Sequence, residues 1–265
     1  MTAPGVRLAT VAAAAVVAAA ILWSSAISKS APFAAAVPGK HAVVVELFTS
    51  EGCSSCPPAD ELLGHLRQSA NSNGAEVIPL GFHVDYWDSA AWHDRFDSAA
   101  YSHRQENYAR KFHIDGPYTP QMVVNGQNEF VGSLAGQAQE AIAEASREGS
   151  AADVQLSLTK DGVLRVTITN SQPAEVMLAI TEDNLSTNVA GGENGGRTLH
   201  HSAVVRQLQH LGDINGGRFS TAVPLKLNQG WKRQDLGTVV FVQSGDSGKI
   251  LGAASMPLHS LPGAN

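Results

Sequence analysis

The chain is short of cysteine and of positive charge, and each shortage excludes a class of protein. Two cysteines in 265 residues cannot build a disulfide-dense scaffold, and they cannot alone fill a four-ligand zinc site. Eighteen basic residues against 24 acidic ones argue against a surface that holds nucleic-acid phosphates. The 16% of charged residues and the evenly spread hydrophobicity exclude a multi-span membrane protein. One large domain or two modest ones remain.

Acidic residues are absent before Glu46, which sets the N-terminal segment apart. Residues 1–7 carry one positive charge, residues 8–23 are apolar, and small residues follow. This pattern predicts a signal peptide over residues 1–26, followed by a linker over residues 27–40. An uncleaved membrane anchor remains open, since the apolar run is long enough to cross a bilayer. Both interpretations place the remainder outside the cytoplasm, periplasmic or secreted, where a disulfide can persist.

Hydrophobic patterning over residues 41–149 predicts alternating strands and helices. A strong hairpin signal, Asn125-Gly126, separates two short strands in this part. The predicted strands are 41–48, 77–86, 121–124 and 129–131, and the predicted helices are 59–69, the second half of 88–111, and 133–148. The order β-α-β-α-β-β-α predicts an α/β domain over residues 41–149.

From residue 151 onward, apolar and polar residues alternate on both sides of a turn at Asp161-Gly162. This alternation is typical of a half-buried antiparallel hairpin. Further strand-like runs follow, with residues 204–211 open between a strand and a short helix. We therefore expect a small all-β domain, antiparallel and sandwich-like, over residues 151–265. The glycine-rich run 191–196 does not match a dinucleotide-binding fingerprint, and no cofactor is expected.

The two cysteines stand as Cys53-x-x-Cys56 between a predicted buried strand and a predicted helix. At a helix N-terminus the free N–H groups and the helix dipole favour thiolate over thiol. Such a thiolate attacks a disulfide, and a second cysteine one turn away resolves the mixed disulfide. This predicts thiol–disulfide exchange with Cys53 as the nucleophile and Cys56 as the resolving cysteine. The prediction depends on a Cys53 sulfur that is ionised and reachable from solvent.

Two other interpretations of the cysteine pair stay open. A static structural disulfide is one, although so short a loop removes little unfolded-chain entropy. The other is a metal-handling module, most plausibly for copper(I), in which two soft thiolates act with a histidine such as His83.

The run Val43 to Asp60, with Cys53-Ser54-Ser55-Cys56-Pro57-Pro58 at its centre, resembles the start of an exported thioredoxin-like family, the domain-of-unknown-function 1223 family. His83-Val84-Asp85-Tyr86-Trp87 and Tyr118-Thr119-Pro120-Gln121 also match its pattern. The resemblance spans most of the chain after the signal. It implies a thioredoxin-like α/β domain, with the all-β unit as an addition, and no settled activity.

The resemblance also implies roles for three further residues. Thr119-Pro120 matches the position of a cis proline that faces the cysteine pair, and the backbone of Thr119 would pair with an extended substrate strand. The alternative is an ordinary trans turn proline. Glu46 lies one residue from the usual position of a buried acid that shuttles a proton to the pair, and strand alternation turns it to the opposite face unless a bulge intervenes. The alternative is a partnered structural carboxylate.

Polar and aromatic residues are dense around His83, Asp85, Trp87 and Asp94. We weigh an acid–base or metal cluster against a hydrogen-bonded loop here and favour the loop, so no metal site is assigned. His200-His201 is expected to be exposed and, at strand spacing, to point to opposite faces.

The sequence thus predicts an extracytoplasmic thiol–disulfide oxidoreductase. Its expected partners are protein or small-molecule disulfides and thiols and a redox partner of unknown identity. No nucleic acid is expected, and membrane contact is expected only if the N-terminal segment is uncleaved. The remaining alternative is a binding protein in which the all-β unit carries the function and the disulfide is structural.

Overall fold

The computed structural model describes residues 1–2, 41–68 and 75–259. Nearly all of the predicted signal peptide and linker lies outside these ranges. The described helices are α1 (Pro57–Gln68), α2 (Ala99–Phe112) and α3 (Ala135–Glu148). The described strands are β1 (Ala42–Thr49), β2 (Glu76–His83), β3 (Gln121–Val124), β4 (Asn128–Val131), β5 (Asp153–Leu158), β6 (Val163–Glu182), β7 (Leu185–Asn188), β8 (Thr198–His201), β9 (Val204–Pro224), β10 (Leu236–Gln243) and β11 (Ile250–Pro257). Among the described helices, none is long and apolar enough to span a bilayer.

One mixed sheet of nine strands organises the molecule. Its strand order is β11-β10-β6-β9-β2-β1-β3-β4, and β5 pairs with β6. Among the described residues, strands make up 44% and helices 21%. The expectation of a thioredoxin-like α/β domain followed by a separate all-β domain is therefore wrong.

The two predicted parts are joined within this sheet, through strands far apart in sequence. Gly81 of β2 pairs with Val204 of β9 in a parallel bridge, and the Gly81 N–H donates to the Ala203 carbonyl at 2.8 Å. Local periodicity reports which residues face a core, but it carries no information on which strand lies beside which. For this reason the sequence pattern predicted two separate domains, whereas the strands of both parts belong to one sheet.

Two long strands form most of the second half of the sheet. The predicted hairpin across Asp161-Gly162 is confirmed as β5 and the start of β6. Strand β6 has 20 residues in all and pairs with β9, which has 21, with register shifts along the way. Residues 204–211, open between helix and strand, belong to β9.

Helices cover both faces of the β1–β2 part of the sheet. Phe48 and Phe82 pack with Tyr101 and Tyr108 of α2 on one face. On the other face, alternate β1 residues such as Leu47 pack against α1 and α3. Each fully buried apolar side chain stabilises the fold by about 1.5–3 kcal/mol relative to exposure. Because both faces of β1 are packed in the core, the backbone at the end of β1 is held in place where the next segment begins.

Strands β7 and β8 form a separate antiparallel two-stranded sheet. Their connection, residues 189–197, is called the covering loop below. Strand β8 packs beside α1. The approach is close at Gly64, where an added Cβ would lie 3.0 Å from the Ser202 Oγ. This packing brings the covering loop over the segment that joins β1 to α1.

A second short hairpin, β3–β4, turns at Asn125 and Gly126 as predicted. Both residues have positive φ, 49° and 67°, which is the conformation that Asn-Gly favours in tight hairpins. Glycine is also required by space, since a Cβ on Gly126 would lie 2.0 Å from the Gly248 carbonyl oxygen. The hairpin sets β3, and with it the Thr119-Pro120 segment, beside β1.

Candidate functional site

Cys53 and Cys56 are joined in a disulfide at the junction of β1 and α1, with their Cα atoms 5.4 Å apart. Local backbone bonds build this junction. The Cys53 N–H donates to Ser50 O and the Cys56 N–H to Cys53 O, each at 3.2 Å. The first helical bond follows, from Ala59 N–H to Cys56 O at 2.8 Å. The predicted position of the pair, between a buried strand and a helix start, is confirmed.

Both cysteines are buried, each with 0% exposure. Ser54 and Ser55 between them are exposed, and the Ser55 Oγ lies 3.4 Å from the Cys53 Sγ. The expectation that the Cys53 sulfur is reachable is thus not met in this conformation. Exchange at this disulfide requires that something move away from it.

The covering loop is hydrogen-bonded to residues 50–56, which join β1 to α1 and are called the cysteine segment below. Asn194, itself fully buried, donates from Nδ2 to the carbonyls of Glu51 at 3.0 Å and Cys53 at 2.9 Å. The Ser54 N–H donates to Glu193 Oε2 at 3.0 Å. Hydrogen bonds from the side chain and the backbone N–H of Ser54 lower the pKa of Glu193. These hydrogen bonds therefore hold the covering loop against the cysteine segment.

The Thr119–Pro120 peptide bond is cis. The Trp87 indole N–H donates to Thr119 Oγ1 at 2.7 Å, and a Cβ on Gly52 would lie 3.1 Å from the Trp87 Cβ. Trp87 therefore bridges the cysteine segment and Thr119. Both roles, Pro120 facing the pair and Thr119 binding a substrate backbone, stay predictions.

Glu46 lies on the other side of the sheet from α1. It accepts from Arg104 Nε at 2.5 Å, from Arg104 Nη2 at 2.9 Å and from the Tyr108 hydroxyl at 2.7 Å. Its exposure is 0%, and its partners belong to α2. The structure thus gives Glu46 the partnered arrangement and does not bring it together with Cys53 and Cys56.

A cluster of buried ionisable side chains lies beside the cysteine segment, and most of it was not predicted. We call it the buried polar cluster; its members are Glu51, Asp60, His83, Asp94 and His201, each at most 9% exposed. Asp60 belongs to α1 and its N–H donates to Cys56 O at 3.1 Å. Glu51 precedes Cys53 by two residues. The cluster therefore adjoins both cysteines through the backbone.

Each histidine of the buried polar cluster has a carboxylate partner. His83 Nδ1 lies 2.7 Å from Asp94 Oδ2, and His201 Nε2 lies 3.2 Å from Glu51 Oε1. Asp60 Oδ2 accepts from the Thr49 hydroxyl at 3.0 Å. The groups are held in fixed positions by direct hydrogen bonds.

Burial and neighbouring charge act in opposite directions on the pKa values of this cluster. Burial raises the pKa of Asp60, although His201 and His83 oppose it. Burial acts to lower the pKa of His83, but the Asp94 carboxylate outweighs it and the pKa is raised. Burial acts to raise the pKa of Asp94, but His83 and two backbone N–H donors lower it to about 2. His83 and Asp94 thus behave as an ion pair.

The sequence contained part of this arrangement. His83 and Asp94 come from the polar and aromatic stretch that was weighed as a cluster or a loop. His200 is exposed and His201 is 3% exposed, so the prediction of opposite faces is right and that of two exposed side chains is wrong. Buried Leu199 two residues before His201 was the signal that could have found it.

Comparisons with known proteins agree on a family and a fold. The family described as "Protein of unknown function (DUF1223)" matches residues 44–243, well over half of the chain. A crystal structure of protein AGR_C_4864 from Agrobacterium tumefaciens is 29% identical over 83% of this chain and 96% of that chain, with a TM-score of 0.68. HBP35 of Porphyromonas gingivalis is 19% identical over 85% and 78%, with a TM-score of 0.58, a likeness of fold alone. No curated protein matches the sequence.

Proposed function

The chain belongs to the DUF1223 family, whose function is unknown, and we propose that it is an extracytoplasmic thiol–disulfide oxidoreductase that uses Cys53 and Cys56. One observation carries the proposal: the disulfide closes at the start of α1, beneath a loop held by a few hydrogen bonds. At that position the helix dipole and free N–H groups favour a thiolate once the disulfide is reduced.

A role in stability explains this disulfide poorly. The cysteines are three residues apart, and cross-linking so short a loop removes about 2 kcal/mol of unfolded-chain entropy, against about 3 kcal/mol for a 15-residue loop. The sheet and its helices already hold both ends of the segment. The spacing suits exchange, since one cysteine reaches the other without movement of the backbone.

The proposed exchange proceeds in two balanced steps. In the reduced protein the Cys53 thiolate attacks one sulfur of a substrate disulfide, forms a mixed disulfide, and releases the other substrate sulfur as a thiolate. The Cys56 thiolate then attacks the Cys53 sulfur, releases the second substrate thiolate, and closes the Cys53–Cys56 disulfide. The substrate gains two electrons and the protein loses them. The reverse sequence oxidises a substrate dithiol.

Access to the sulfur atoms requires the covering loop to open. The loop contains four glycines, and among the described residues its side-chain hydrogen bonds to the cysteine segment are those of Glu193 and Asn194. Opening exposes the pair without disturbing the sheet beneath it. A substrate strand would then pair with the backbone of Thr119, next to the cis bond.

The location is part of the proposal. The basic, apolar and small-residue pattern of residues 1–26 supports export, and an exported protein meets conditions in which a disulfide forms. Its partners would be protein or small-molecule disulfides and thiols and a second redox protein that resets the pair. An uncleaved N-terminal segment would hold the protein at the membrane.

Trapping of mixed disulfides tests the proposal. Cys56→Ser should accumulate mixed disulfides through Cys53, because the resolving thiol is missing, and Cys53→Ser should accumulate far fewer. Each variant is incubated with a model peptide disulfide, and the adducts are counted by mass spectrometry under non-reducing conditions. The reduction potential of the unmodified protein is measured against a glutathione buffer.

Two results would overturn the proposal. One is an equal, low yield of adducts from both variants. The other is a potential below about −300 mV with thiols that do not react, which is the behaviour of a structural disulfide.

A further inference from the structure

Three buried side chains of the buried polar cluster converge on one point. One ligand atom each from Asp60, His83 and His201 lies within 4.8 Å of the other two. Three atoms at that spacing always have a point within ~2.8 Å of all of them, while zinc binds histidine nitrogen and carboxylate oxygen at about 2.0–2.2 Å. A contraction of well under 1 Å per side chain therefore makes a coordination site.

The second-neighbour contacts of the two histidines match those of metal-bound histidines. In metal sites a histidine ligand generally gives its other ring nitrogen to a carboxylate, a carbonyl or water, which fixes the ring. Here Nδ1 of His83 is hydrogen-bonded to Asp94, and Nε2 of His201 is hydrogen-bonded to Glu51. Both rings are therefore oriented, and Nε2 of His83 and Nδ1 of His201 are the nitrogens left for a ligand role.

An unpartnered atom gives an independent indication of a missing ligand. Nδ1 of His201 is buried and has no hydrogen-bond partner among the described residues, and the residue is 3% exposed. Buried polar atoms in proteins almost always have a partner, because an unmet one costs about 1–3 kcal/mol. A metal ion at the convergence point satisfies this nitrogen.

We propose that Asp60, His83 and His201 bind a divalent transition-metal ion of the zinc type. Two imidazoles and one carboxylate suit Zn²⁺ and its first-row neighbours, whereas Ca²⁺ and Mg²⁺ prefer oxygen alone. Three protein ligands leave a coordination position open for water or another ligand. The site uses no cysteine sulfur, so it stands whether or not Cys53 and Cys56 exchange disulfides.

A second group provides a matched comparison. Asp88, His93 and Asp97 also bring ligand atoms within 4.8 Å, but His93 is exposed. Exposed acidic groups of this kind are common without a metal. Variants of His93 therefore control for adventitious binding at the surface.

Titration of the protein with Co²⁺ in its oxidised form, and again after reduction of the disulfide, tests the site, with Zn²⁺ as the competitor. Because the ligands are buried, the metal is added both to the folded protein and during refolding. We expect one Co²⁺ per chain, displaced by Zn²⁺, with a visible ligand-field spectrum and without the near-ultraviolet band of thiolate-to-cobalt charge transfer. In the wild-type protein, the imidazole NMR signals of two of the ten histidines should shift on Zn²⁺ binding.

Substitutions separate the proposed site from its alternatives. Asp60→Asn, His83→Gln and His201→Gln should each weaken Zn²⁺ binding at least tenfold, and Asp94→Asn should weaken it 10- to 100-fold through the ring it orients. His93→Gln and the double variant Cys53→Ser/Cys56→Ser should bind as the wild type does. Circular dichroism of each metal-free variant checks its fold, and the wild-type NMR shifts remain decisive where a variant does not fold.

Three outcomes would overturn the proposal. They are no stoichiometric binding after refolding with metal, loss of binding in His93→Gln, or a thiolate charge-transfer band. Failure of the disulfide proposal leaves these measurements unchanged, because the double cysteine variant still presents all three ligands.

Discussion

Replacing Asn194 by alanine is expected to speed the reduction of the Cys53–Cys56 disulfide while leaving the fold intact. In the closed state Asn194 donates two hydrogen bonds to the cysteine segment, to the carbonyls of Glu51 and Cys53. A hydrogen bond within a protein contributes about 0.5–1.5 kcal/mol net. Losing both therefore destabilises the closed state relative to the open one by about 1–3 kcal/mol.

This free energy converts into a rate when the loop opens and closes faster than the reductant reacts. The rate of reduction is then proportional to the open population, and every 1.4 kcal/mol changes that population tenfold. We expect Asn194→Ala to be reduced about 5-fold to 150-fold faster than the wild type. Rates are measured at several concentrations of dithiothreitol, with the thiols counted by alkylation and mass spectrometry.

A matched control comes from the same hairpin. The Asn188 side chain, at the end of β7, is exposed and accepts from the Thr198 hydroxyl at 2.8 Å. Within the described part of the chain it makes no hydrogen bond to the cysteine segment. Asn188→Ala should therefore be reduced at the wild-type rate. The reasoning is refuted if Asn194→Ala also keeps the wild-type rate, or if wild-type reduction occurs only as fast as global unfolding. In that case the covering loop is not what protects the disulfide.

Two further predictions concern the ionisable groups around the site. The hydrogen bonds to Glu193 lower its pKa, so the contact with Ser54 is present above the ordinary glutamic acid value of 4.5 and is lost as pH falls through the lowered pKa. Reduction by a phosphine should accelerate modestly over that fall, and Glu193→Gln should remove this pH dependence; an identical profile in both would contradict it. Glu46→Gln should lower the free energy of unfolding by about 3–5 kcal/mol in urea titrations, because it leaves the Arg104 charge buried without its ion pair. Glu148→Gln, on an exposed ion pair, should cost less than about 1 kcal/mol, and equal losses would argue against the burial effect.

The candidate site divides between what is local in sequence and what is not. The cysteine pair at a strand-to-helix junction and the Asn125-Gly126 hairpin were predicted, because each depends on neighbours within a few residues. The partners of Glu46 were not, since Arg104 lies 58 positions away. Strand alternation turns Glu46 to the face opposite the cysteine pair, but it could not identify Arg104 and Tyr108 as the partners there.

The same division explains the missed part of the site. Asp60, His83 and His201 come from α1, β2 and β8, and they meet because β8 packs beside α1. Asn194 reaches the Glu51 carbonyl from 143 positions away. The spacing of these residues along the chain does not show that they meet.

The sequence by itself determined the helices and most strands of residues 41–149, the hairpin across Asp161-Gly162, the Asn-Gly hairpin and the cysteine pair at the start of α1. These depend on backbone preference and on the period of apolar residues, which act over a few positions. Only the tertiary structure decided that the strands join in one sheet, that a distant loop hydrogen-bonds to the segment that carries the disulfide, and that two histidines and an aspartate meet beside it. Such contacts depend on which surfaces pack together, and that choice is made by the whole core rather than by any one segment.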